Sequence, residues 1–327
     1  MKKALVTGGA GFIGSHLAGR LIREGWSVSI IDNLSTGFKE NVPVGAEFTL
    51  LDISKEDFID KLSKVKYDAV FHLAAQSSGE ISFDDPLYDL NTNCRSTVAL
   101  LDWCLKNGIK RFVYTSSMSI YGDQDLQPVR EDAKPRPKSF YGVGKMASED
   151  YVNIYSKIGI NTTSLRLFNV YGPGQNMANM RQGMVSIYMA QIAKGEEVLV
   201  KGSGDRYRDL IYIDDVIDAY MSCIDNQKTF GNVYNVGTGI KTTVKDLLRA
   251  ELIAFGQDPS RYPVTFSGST AGDTFGIFAD IKAIRNDFRW EPKVSLGDGL
   301  GRMARWVLAS NKKELYGDKK KSAGSCS

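Results

Sequence analysis

The chain has 327 residues, 43% of them hydrophobic and 24% charged, which is ordinary for a folded protein large enough to build two lobes around a substantial core. The formal net charge of +3 lies in the C-terminal stretch 311–327, where five lysines stand against two acidic residues, so the rest of the chain is neutral and nucleic-acid binding is not favoured. There is no run near the roughly 20 apolar residues of a membrane helix, and two histidines and four cysteines show no metal-ligand spacing, so we predict a cytoplasmic protein without membrane span, metal site or disulfides.

A glycine-rich loop follows the first apolar run, Ala4-Leu5-Val6, and precedes an amphipathic segment from Ser15 to Glu24. This order predicts the first strand, loop and helix of a nucleotide-binding unit. Gly8 permits a tight turn, Gly11 allows the backbone to approach a pyrophosphate, and Gly14 allows close packing of helix and strand. An isolated glycine triplet also occurs in ordinary turns, so the context has to decide.

A second predicted strand, Val28 to Asp32, ends in a carboxylate 18 residues beyond Gly14. An acid at this position accepts hydrogen bonds from the adenosine ribose and repels a 2′-phosphate, which favours NAD over NADP. The alternative role for Asp32 is capping of a turn or helix. Further candidates around the adenosine are the loop residues Asn33, Ser35, Thr36 and Gly37, and Asp52 and Ile53 after a third strand near Glu47 to Leu51.

The fourth predicted strand, Tyr67 to Ala75, is almost continuously apolar, as expected for a strand covered by helices on both faces. Its small end, Ala74-Ala75, leaves room for a cofactor, although small residues also serve packing alone. A helical pattern from Leu87 to Asn107 contains Asn93, and a fifth strand, Arg111 to Thr115, leads into Ser117.

A possible catalytic group follows in Tyr141-Gly142-Val143-Gly144-Lys145, because tyrosine and lysine four residues apart share one helix face. A free tyrosine titrates near pH ~10. A lysine ammonium about 4 Å away favours the phenolate by very roughly 4 kcal/mol at an effective dielectric of about 20. Ser117, at the end of a neighbouring parallel strand, can hold the reacting oxygen. The Tyr-x-x-x-Lys pattern alone is common on helix surfaces.

Together these motifs resemble the extended short-chain dehydrogenase/reductase family, and within it the NAD-dependent sugar-nucleotide epimerases of the UDP-glucose 4-epimerase type, over about residues 3–307. The resemblance implies a doubly wound parallel (Rossmann) α/β sheet in residues 1–172, with segments near 210–236 returning to it. It also implies a smaller C-terminal α/β substrate lobe in residues 173–310, and 311–327 is expected to be a basic disordered tail. The NAD-binding residues it implies are Gly8, Gly11, Phe12, Ile13, Gly14, Asp32, Asn33, Ser35, Thr36, Gly37, Asp52, Ile53, Leu73, Ala74, Ala75, Gln76, Asn93, Tyr141 and Lys145.

The resemblance also implies the substrate contacts. Asn169, in the segment Arg166 to Pro173, is expected to donate to a substrate phosphate. Arg208 is expected to neutralise the sugar-nucleotide pyrophosphate, the alternative being a salt bridge to Asp209 or Asp214. The full implied set is Ser117, Phe168, Asn169, Arg208, Asp273 and Ile277 for substrate, and Ser117, Tyr141 and Lys145 for catalysis.

Three positions depart from the family pattern. Relatives usually carry an arginine shortly before the Gly-Asp that is Gly272-Asp273 here, but this chain has Ser269-Thr270-Ala271. Gly144 stands where a serine is commoner. Ile277 occupies a position that helps to admit or exclude a 2-N-acetyl group, and isoleucine leaves that choice open.

The same pattern discriminates between reactions. Related dehydratases and decarboxylases place carboxylic acids directly after the catalytic serine or threonine, where this chain has Met118 and Ser119. Dehydration therefore lacks its acid, and epimerisation and simple reduction remain. We predict an NAD-dependent 4-epimerase of a nucleotide-activated hexose, with an NAD(P)-dependent reductase or dehydrogenase and a non-catalytic dinucleotide sensor as alternatives. Relatives imply a homodimer through helices near Leu87 to Asn107 and Tyr141 to Lys157.

Overall fold

A computed structural model describes residues 1–62 and 65–310, so the predicted tail 311–327 lies outside the described residues. The strands are β1 Lys3–Thr7, β2 Ser27–Asp32, β3 Glu47–Leu50, β4 Ala69–His72, β5 Arg111–Ser117, β6 Asn161–Leu167, β7 Asn169–Tyr171, β8 Val198–Lys201, β9 Tyr207–Arg208, β10 Leu210–Tyr212, β11 Asn232–Val236, β12 Thr242–Thr243 and β13 Val264–Ser267. The helices are α1 Phe12–Arg23, α2 Pro86–Leu90, α3 Ser96–Lys106, α4 Phe140–Lys157, α5 Met184–Lys194, α6 Ile213–Cys223, α7 Val244–Ala254, α8 Lys282–Phe288 and α9 Leu296–Ala309.

Seven of these strands form one parallel sheet in the order β11-β6-β5-β4-β1-β2-β3. The order reverses between β1 and β4, and this reversal opens a crevice at the carboxyl ends of the strands, where such sheets bind ligands. The predicted doubly wound α/β class is therefore confirmed. Segment 232–236 returns to the sheet as predicted, as its edge strand β11.

Segment 210–224 only partly follows the prediction. Strand β10 pairs with β7 in a separate two-stranded sheet instead of joining the large one. Helix α6 packs against α1 and so covers one face of the large sheet. The ladder is interrupted at one residue, Phe168, between β6 and β7, and beyond it the chain pairs with β10 and no longer with β11.

Two further elements differ from their predicted bounds. The fourth strand ends at His72, because the Thr7 hydroxyl accepts the backbone N–H groups of Leu73 (3.1 Å) and Ala74 (3.0 Å) and so bends the chain away from the sheet. The predicted helix from Leu87 to Asn107 consists of α2, a π-helical turn at Asn91–Arg95, and α3. Side-chain hydroxyls compete with backbone N–H groups for the carbonyls of that turn. The Thr97 hydroxyl donates to the Asn93 carbonyl at 2.6 Å, and such competition widens helical turns.

The core lies on both faces of the large sheet, because successive strand residues point to opposite sides. On β1, Leu5 packs into a cluster with α3, whereas Ala4 and Val6 pack into a larger cluster with α1 and α6. That larger cluster continues into a second lobe, where α5, α7 and α9 pack together beside the β8–β13 pair. Within residues 1–62 and 65–310, no helix combines the length and apolar character needed to span a bilayer.

Candidate active site

A cleft of about 360 Å³ runs along the carboxyl ends of the strands of the large sheet, within the range of small-molecule sites. Most of the predicted cofactor and catalytic residues line it. These are Gly8, Gly11, Phe12, Ile13, Gly14, Asp32, Asn33, Ser35, Thr36, Ile53, Leu73, Ala74, Ala75, Ser117, Tyr141, Lys145, Phe168 and Asn169. The predicted residues outside its lining are Gly37, Asp52, Gln76, Asn93, Arg208, Asp273 and Ile277.

The glycine loop forms one end of the cleft. Gly8 has a φ of +71° and lies so close to β4 that a Cβ would stand 2.7 Å from the Ala74 backbone nitrogen. A Cβ on Gly14 would collide with the Gly8 carbonyl oxygen, so the helix can approach the loop only without a side chain there. Helix α1 begins after Gly11, which provides no side-chain cap and leaves the first backbone N–H groups available to an anion.

Asp32 is held rigidly at the ribose end of the cleft. Its carboxylate accepts the backbone N–H groups of Ala10 at 3.0 Å and Leu34 at 2.8 Å, and the side chain is largely buried. The residue thus caps a turn, as the alternative from the sequence had it, and also lines the cleft, so its predicted contact with the ribose stays a prediction. Gly37 instead packs against the Ala10 carbonyl, and Asp52 caps a turn by accepting the Ser54 N–H at 2.9 Å.

Ser117, Tyr141 and Lys145 meet at the centre of the cleft, and all three are buried. Ser117 ends β5, and its hydroxyl accepts the Ser119 backbone N–H at 3.1 Å. The Lys145 ammonium donates to the Thr115 carbonyl at 2.9 Å and stands 5.9 Å from the centre of the Tyr141 ring. The helix that carries both residues is capped by Ser139, whose hydroxyl accepts the N–H of Gly142 at 3.1 Å. The Ser139 cap and the Thr115 carbonyl together orient Tyr141 and Lys145.

Burial dominates the electrostatics of the pair. It raises the pKa of Tyr141 to about 12, an effect that the Ser117 hydroxyl opposes and the Asp89 carboxylate reinforces. It lowers the pKa of Lys145 to about 7, and Asp89 acts in the opposite direction. The pKa of Tyr141 therefore lies above its ordinary value and not below it, as predicted from the lysine, because removal from water penalises the charged form of a buried group.

Gln76 and Asn93 lie behind the catalytic helix and not in the cleft lining. Their amides donate to one oxygen of the buried Asp89 carboxylate, at 2.8 Å and 3.0 Å. Gly144 fits against this group, since a Cβ there would lie 3.3 Å from both the Asn93 Cβ and an Asp89 oxygen. Gly144, which departs from the family pattern, therefore packs tightly against Asn93 and Asp89.

Three polar atoms in the cleft are buried without a hydrogen-bond partner among the described residues: Thr92 Oγ1, Asn169 Oδ1 and Gln175 Oε1. Buried polar atoms in native proteins are normally paired, which makes these three atoms candidates for contact with a ligand or water. Thr92 and Gln175 are not among the site residues predicted from the sequence. The signal for Gln175 was present, because residues 175–182 are unusually rich in amides, and Asn176, Asn179 and Gln182 of that loop also line the cleft.

A second, smaller cavity adjoins the cleft at Met118 and Ser119, which line both. It holds the predicted residues Asp273 and Ile277. Arg208 reaches Asp273 directly as an ion pair, so the alternative partners named from the sequence are wrong. Asp209 instead accepts the backbone N–H of Thr238 at 2.7 Å and of Gly239 at 2.9 Å, while Asp214 pairs with Arg302.

His72 is structural. Its Nδ1 lies 2.7 Å from the Thr7 hydroxyl and its Nε2 lies 3.0 Å from the Thr97 hydroxyl. Because the Thr7 oxygen already accepts two N–H groups, its proton goes to Nδ1, and Nε2–H donates to Thr97. Burial lowers the pKa of His72 to about 3, so the ring is neutral. In the two described ranges, 1–62 and 65–310, no three potential ligands cluster as a metal site would require.

A glycine loop, a carboxylate at the end of β2 and a Ser-Tyr-Lys group in one cleft are typical of an enzyme that uses a dinucleotide cofactor. The model of the NAD dependent epimerase/dehydratase family matches residues 4–237, and the chain belongs to that family. This result confirms the predicted NAD cofactor and the predicted kinship with sugar-nucleotide epimerases of the extended short-chain dehydrogenase/reductase type.

Similar proteins span essentially the whole chain. A putative UDP-glucose 4-epimerase of Methanocaldococcus jannaschii is 33% identical over 316 residues, which cover 94% of this chain and 99% of that protein. A crystal structure of UDP-glucose 4-epimerase with UDP-glucose from Thermotoga maritima is 35% identical, with a TM-score of 0.88, covering 93% of this chain and 98% of that one. The UDP-glucose 4-epimerase of Thermus thermophilus in complex with NAD is 31% identical, with a TM-score of 0.87, covering 94% and 100%.

Proposed function

We infer that the protein interconverts the C4 epimers of a nucleotide-activated hexose of the UDP-glucose/UDP-galactose type, through a transient 4-keto sugar. The observation that carries this proposal is the group formed by Ser117, Tyr141 and Lys145, which shares one cleft with the glycine loop. The named activity of the similar proteins, UDP-glucose 4-epimerase, supports the same substrate class.

The residues of the cleft fit NAD. The uncapped start of α1 suits the pyrophosphate, the Asp32 carboxylate suits the ribose hydroxyls, and the unpartnered Thr92 oxygen offers a further acceptor. When bound there, NAD would supply the hydride acceptor and donor for chemistry at the sugar C4. We assign residues 1–172 and strand β11 to cofactor binding, and 173–310 mainly to the substrate.

The chain's own residues move the proton. As the tyrosinate, Tyr141 takes the proton of the sugar 4-hydroxyl onto its phenolate oxygen and later gives it back, while the Ser117 hydroxyl holds the sugar oxygen. Lys145, fixed by the Thr115 carbonyl, contributes positive charge that favours the tyrosinate against the penalty of burial. We assign Asn169 and Phe168 to substrate binding, since both line the cleft and the Asn169 side-chain oxygen has no hydrogen-bond partner among the described residues.

The arrangement of acids favours epimerisation over elimination. Asp32 is the one carboxylate among the described residues that line the cleft, and it lies at the ribose end. Met118 and Ser119 follow Ser117 where an acid would be needed to protonate a leaving hydroxyl. The cleft therefore offers no acid that would expel a substituent of the 4-keto sugar, which favours epimerisation over elimination.

We propose that a second copy of this chain is the protein partner. Apolar side chains stand exposed on α2 and α4 and directly after α4, among them Leu87, Leu90, Val143, Ile154 and Ile158. Exposed apolar residues on helices that pack together, as α2 and α4 do, are typical of an interface. A cytoplasmic location and the absence of nucleic-acid and membrane partners belong to the same proposal.

The decisive assay is incubation of the purified protein with UDP-glucose, UDP-galactose and their N-acetyl forms without added reductant. Products are separated chromatographically while absorbance is followed at the NADH band. We expect interconversion of C4 epimers with no steady change in NADH. Stoichiometric formation or consumption of NADH would instead identify a dehydrogenase or reductase. The N-acetyl substrates test what Ile277 admits.

Replacing the base tests the mechanism. Tyr141→Phe removes the hydroxyl that carries the proton, and we expect turnover to fall by about 10²–10⁴-fold while bound NAD and melting temperature stay unchanged. Tyr151→Phe, on the exposed side of the same helix, is the matched control and should retain activity. Comparable activity of the two variants would refute the role of Tyr141.

A further inference from the structure

Two arginines converge on one carboxylate beside the second cavity. Asp273 lines that cavity and forms ion pairs with both Arg206 and Arg208. The arginine side chains are 11% and 3% exposed, so both guanidinium groups are largely withdrawn from water. One carboxylate can neutralise only one of them. The cluster therefore keeps an excess positive charge in a mostly buried place, which favours an anion.

The Arg206 guanidinium is held by the loop that precedes β9. It donates to the carbonyls of Lys201 and Ser203, the latter at 3.3 Å from Nε. Gly202, between them, has a φ of +88°, and a Cβ there would lie 3.0 Å from the Arg206 Nε. The Arg206 carbonyl in turn accepts the Val244 N–H at 2.8 Å. The loop thus leaves space for this side chain and fixes it before any ligand binds.

Arg208 is fixed in the same way from the opposite side. Its guanidinium donates to the carbonyl of Tyr207 at 2.7 Å and to that of Thr274 at 3.0 Å. Within the described ranges, Asp273 is the one acidic partner of either arginine. Backbone carbonyls orient both groups without neutralising them, so their charge remains available.

We propose that Arg206 is a second pyrophosphate-binding residue, acting with Arg208 on the diphosphate of the nucleotide sugar. The chain lacks the arginine expected shortly before Gly272, since residues 269–271 are uncharged. Arg206 instead brings a second positive charge to Asp273, which also pairs with Arg208. Without Arg206 the charges of Arg208 and Asp273 would cancel. A diphosphate carries a negative charge on each phosphate, and guanidinium groups bind such oxygens in pairs. This inference rests on the proposed function.

The test compares Arg206→Gln with the wild-type holoenzyme, using UDP and UMP as competitive inhibitors of turnover. We expect KM for the nucleotide sugar and the inhibition constant of UDP to rise by about tenfold or more, as for a lost charge-assisted hydrogen bond. The preference for UDP over UMP should shrink, while kcat changes little because the contact is remote from C4. Arg261→Gln, an 87% exposed arginine of the same lobe, is the matched control.

The outcomes separate the two claims. An unchanged preference of Arg206→Gln for UDP over UMP overturns the inference, while wild-type turnover leaves the proposed function standing. If Arg206→Gln lowers the melting temperature or the NAD content, Arg206→Lys decides, because it keeps the charge. Partial recovery of the UDP preference supports the inference, and no recovery overturns it. A wild-type protein that binds neither UDP nor UDP-sugars refutes the proposed function and, with it, this inference.

Discussion

Glu251 is a carboxyl group buried in the second lobe without a partner, and its replacement should stabilise the protein. It lies on α7, is fully buried, and neither of its side-chain oxygens has a hydrogen-bond partner among the described residues. Burial raises the pKa of Glu251 well above its ordinary value, so the folded protein keeps the carboxyl proton over a pH range in which the unfolded chain has lost it. Burial also raises the pKa of Tyr188 on α5, to about 12.

The magnitude follows from two contributions. A buried polar group without a hydrogen bond costs about 1–3 kcal/mol, and Glu251→Met, which keeps the volume, removes that cost. The second contribution depends on pH. The unfolded chain releases the proton above pH ~4.5, whereas the folded protein retains it. The wild-type free energy of unfolding therefore falls by about 1.4 kcal/mol per pH unit between that value and the raised folded pKa.

Thermal and denaturant unfolding of the holoenzyme at a series of pH values from about 4 to 8 measures both contributions. We expect Glu251→Met to be more stable than the wild type, by an amount that grows as the pH rises. Glu56→Met, at an exposed position, is the control and should show no growing difference. The reasoning is wrong if the unfolding free energies of Glu251→Met and the wild type change with pH in parallel, or if Glu251→Met is less stable. Either result would mean that the Glu251 carboxyl has a compensating partner.

Two further predictions concern the cofactor and the partner. Asp32→Ser should weaken NAD binding and raise the preference for NADP by about tenfold, because it removes the charge that repels a 2′-phosphate; reconstitution of the apoprotein with each dinucleotide measures this, with the exposed Asp60→Ser as control. Ile154→Asp should convert a dimer into monomers in light scattering after size exclusion, whereas Ile253→Asp, exposed on α7, should not. A monomeric wild type, or a dimeric Ile154→Asp, would refute the proposed interface.

The cofactor half could be predicted because its signals are local. An apolar run, a glycine loop and an amphipathic helix follow one another directly, and Asp32 ends the next strand. The ends of strands and helices could not be predicted as well where a side chain distant in sequence bonds to the backbone. The hydroxyl of Thr7 ends β4 by capturing two N–H groups some 65 residues away, and no pattern within β4 itself signals this.

The charge pairs of the second lobe were not accessible from the sequence. Arg208 was expected to have a sequence neighbour as its alternative partner, but adjacent strand residues point to opposite sides, so Arg208 and Asp209 cannot face each other. The true partner, Asp273, comes from a loop 65 residues further on. Only the folded chain brings that loop to β9.

A similar long-range pair governs the catalytic helix. Glu149 lies one turn after Lys145 on the same face of α4, and its carboxylate forms a buried ion pair with Arg166 of β6. It also accepts the hydroxyl of Ser116 at 2.7 Å, directly beside the catalytic serine. The Arg166 guanidinium continues to the Tyr121 hydroxyl at 2.7 Å. Since a buried carboxylate and guanidinium must satisfy each other, the helix has one rotation in which they do so. That same rotation turns the tyrosine and lysine toward the end of β5, so burial of the ion pair and orientation of the catalytic group are one structural requirement.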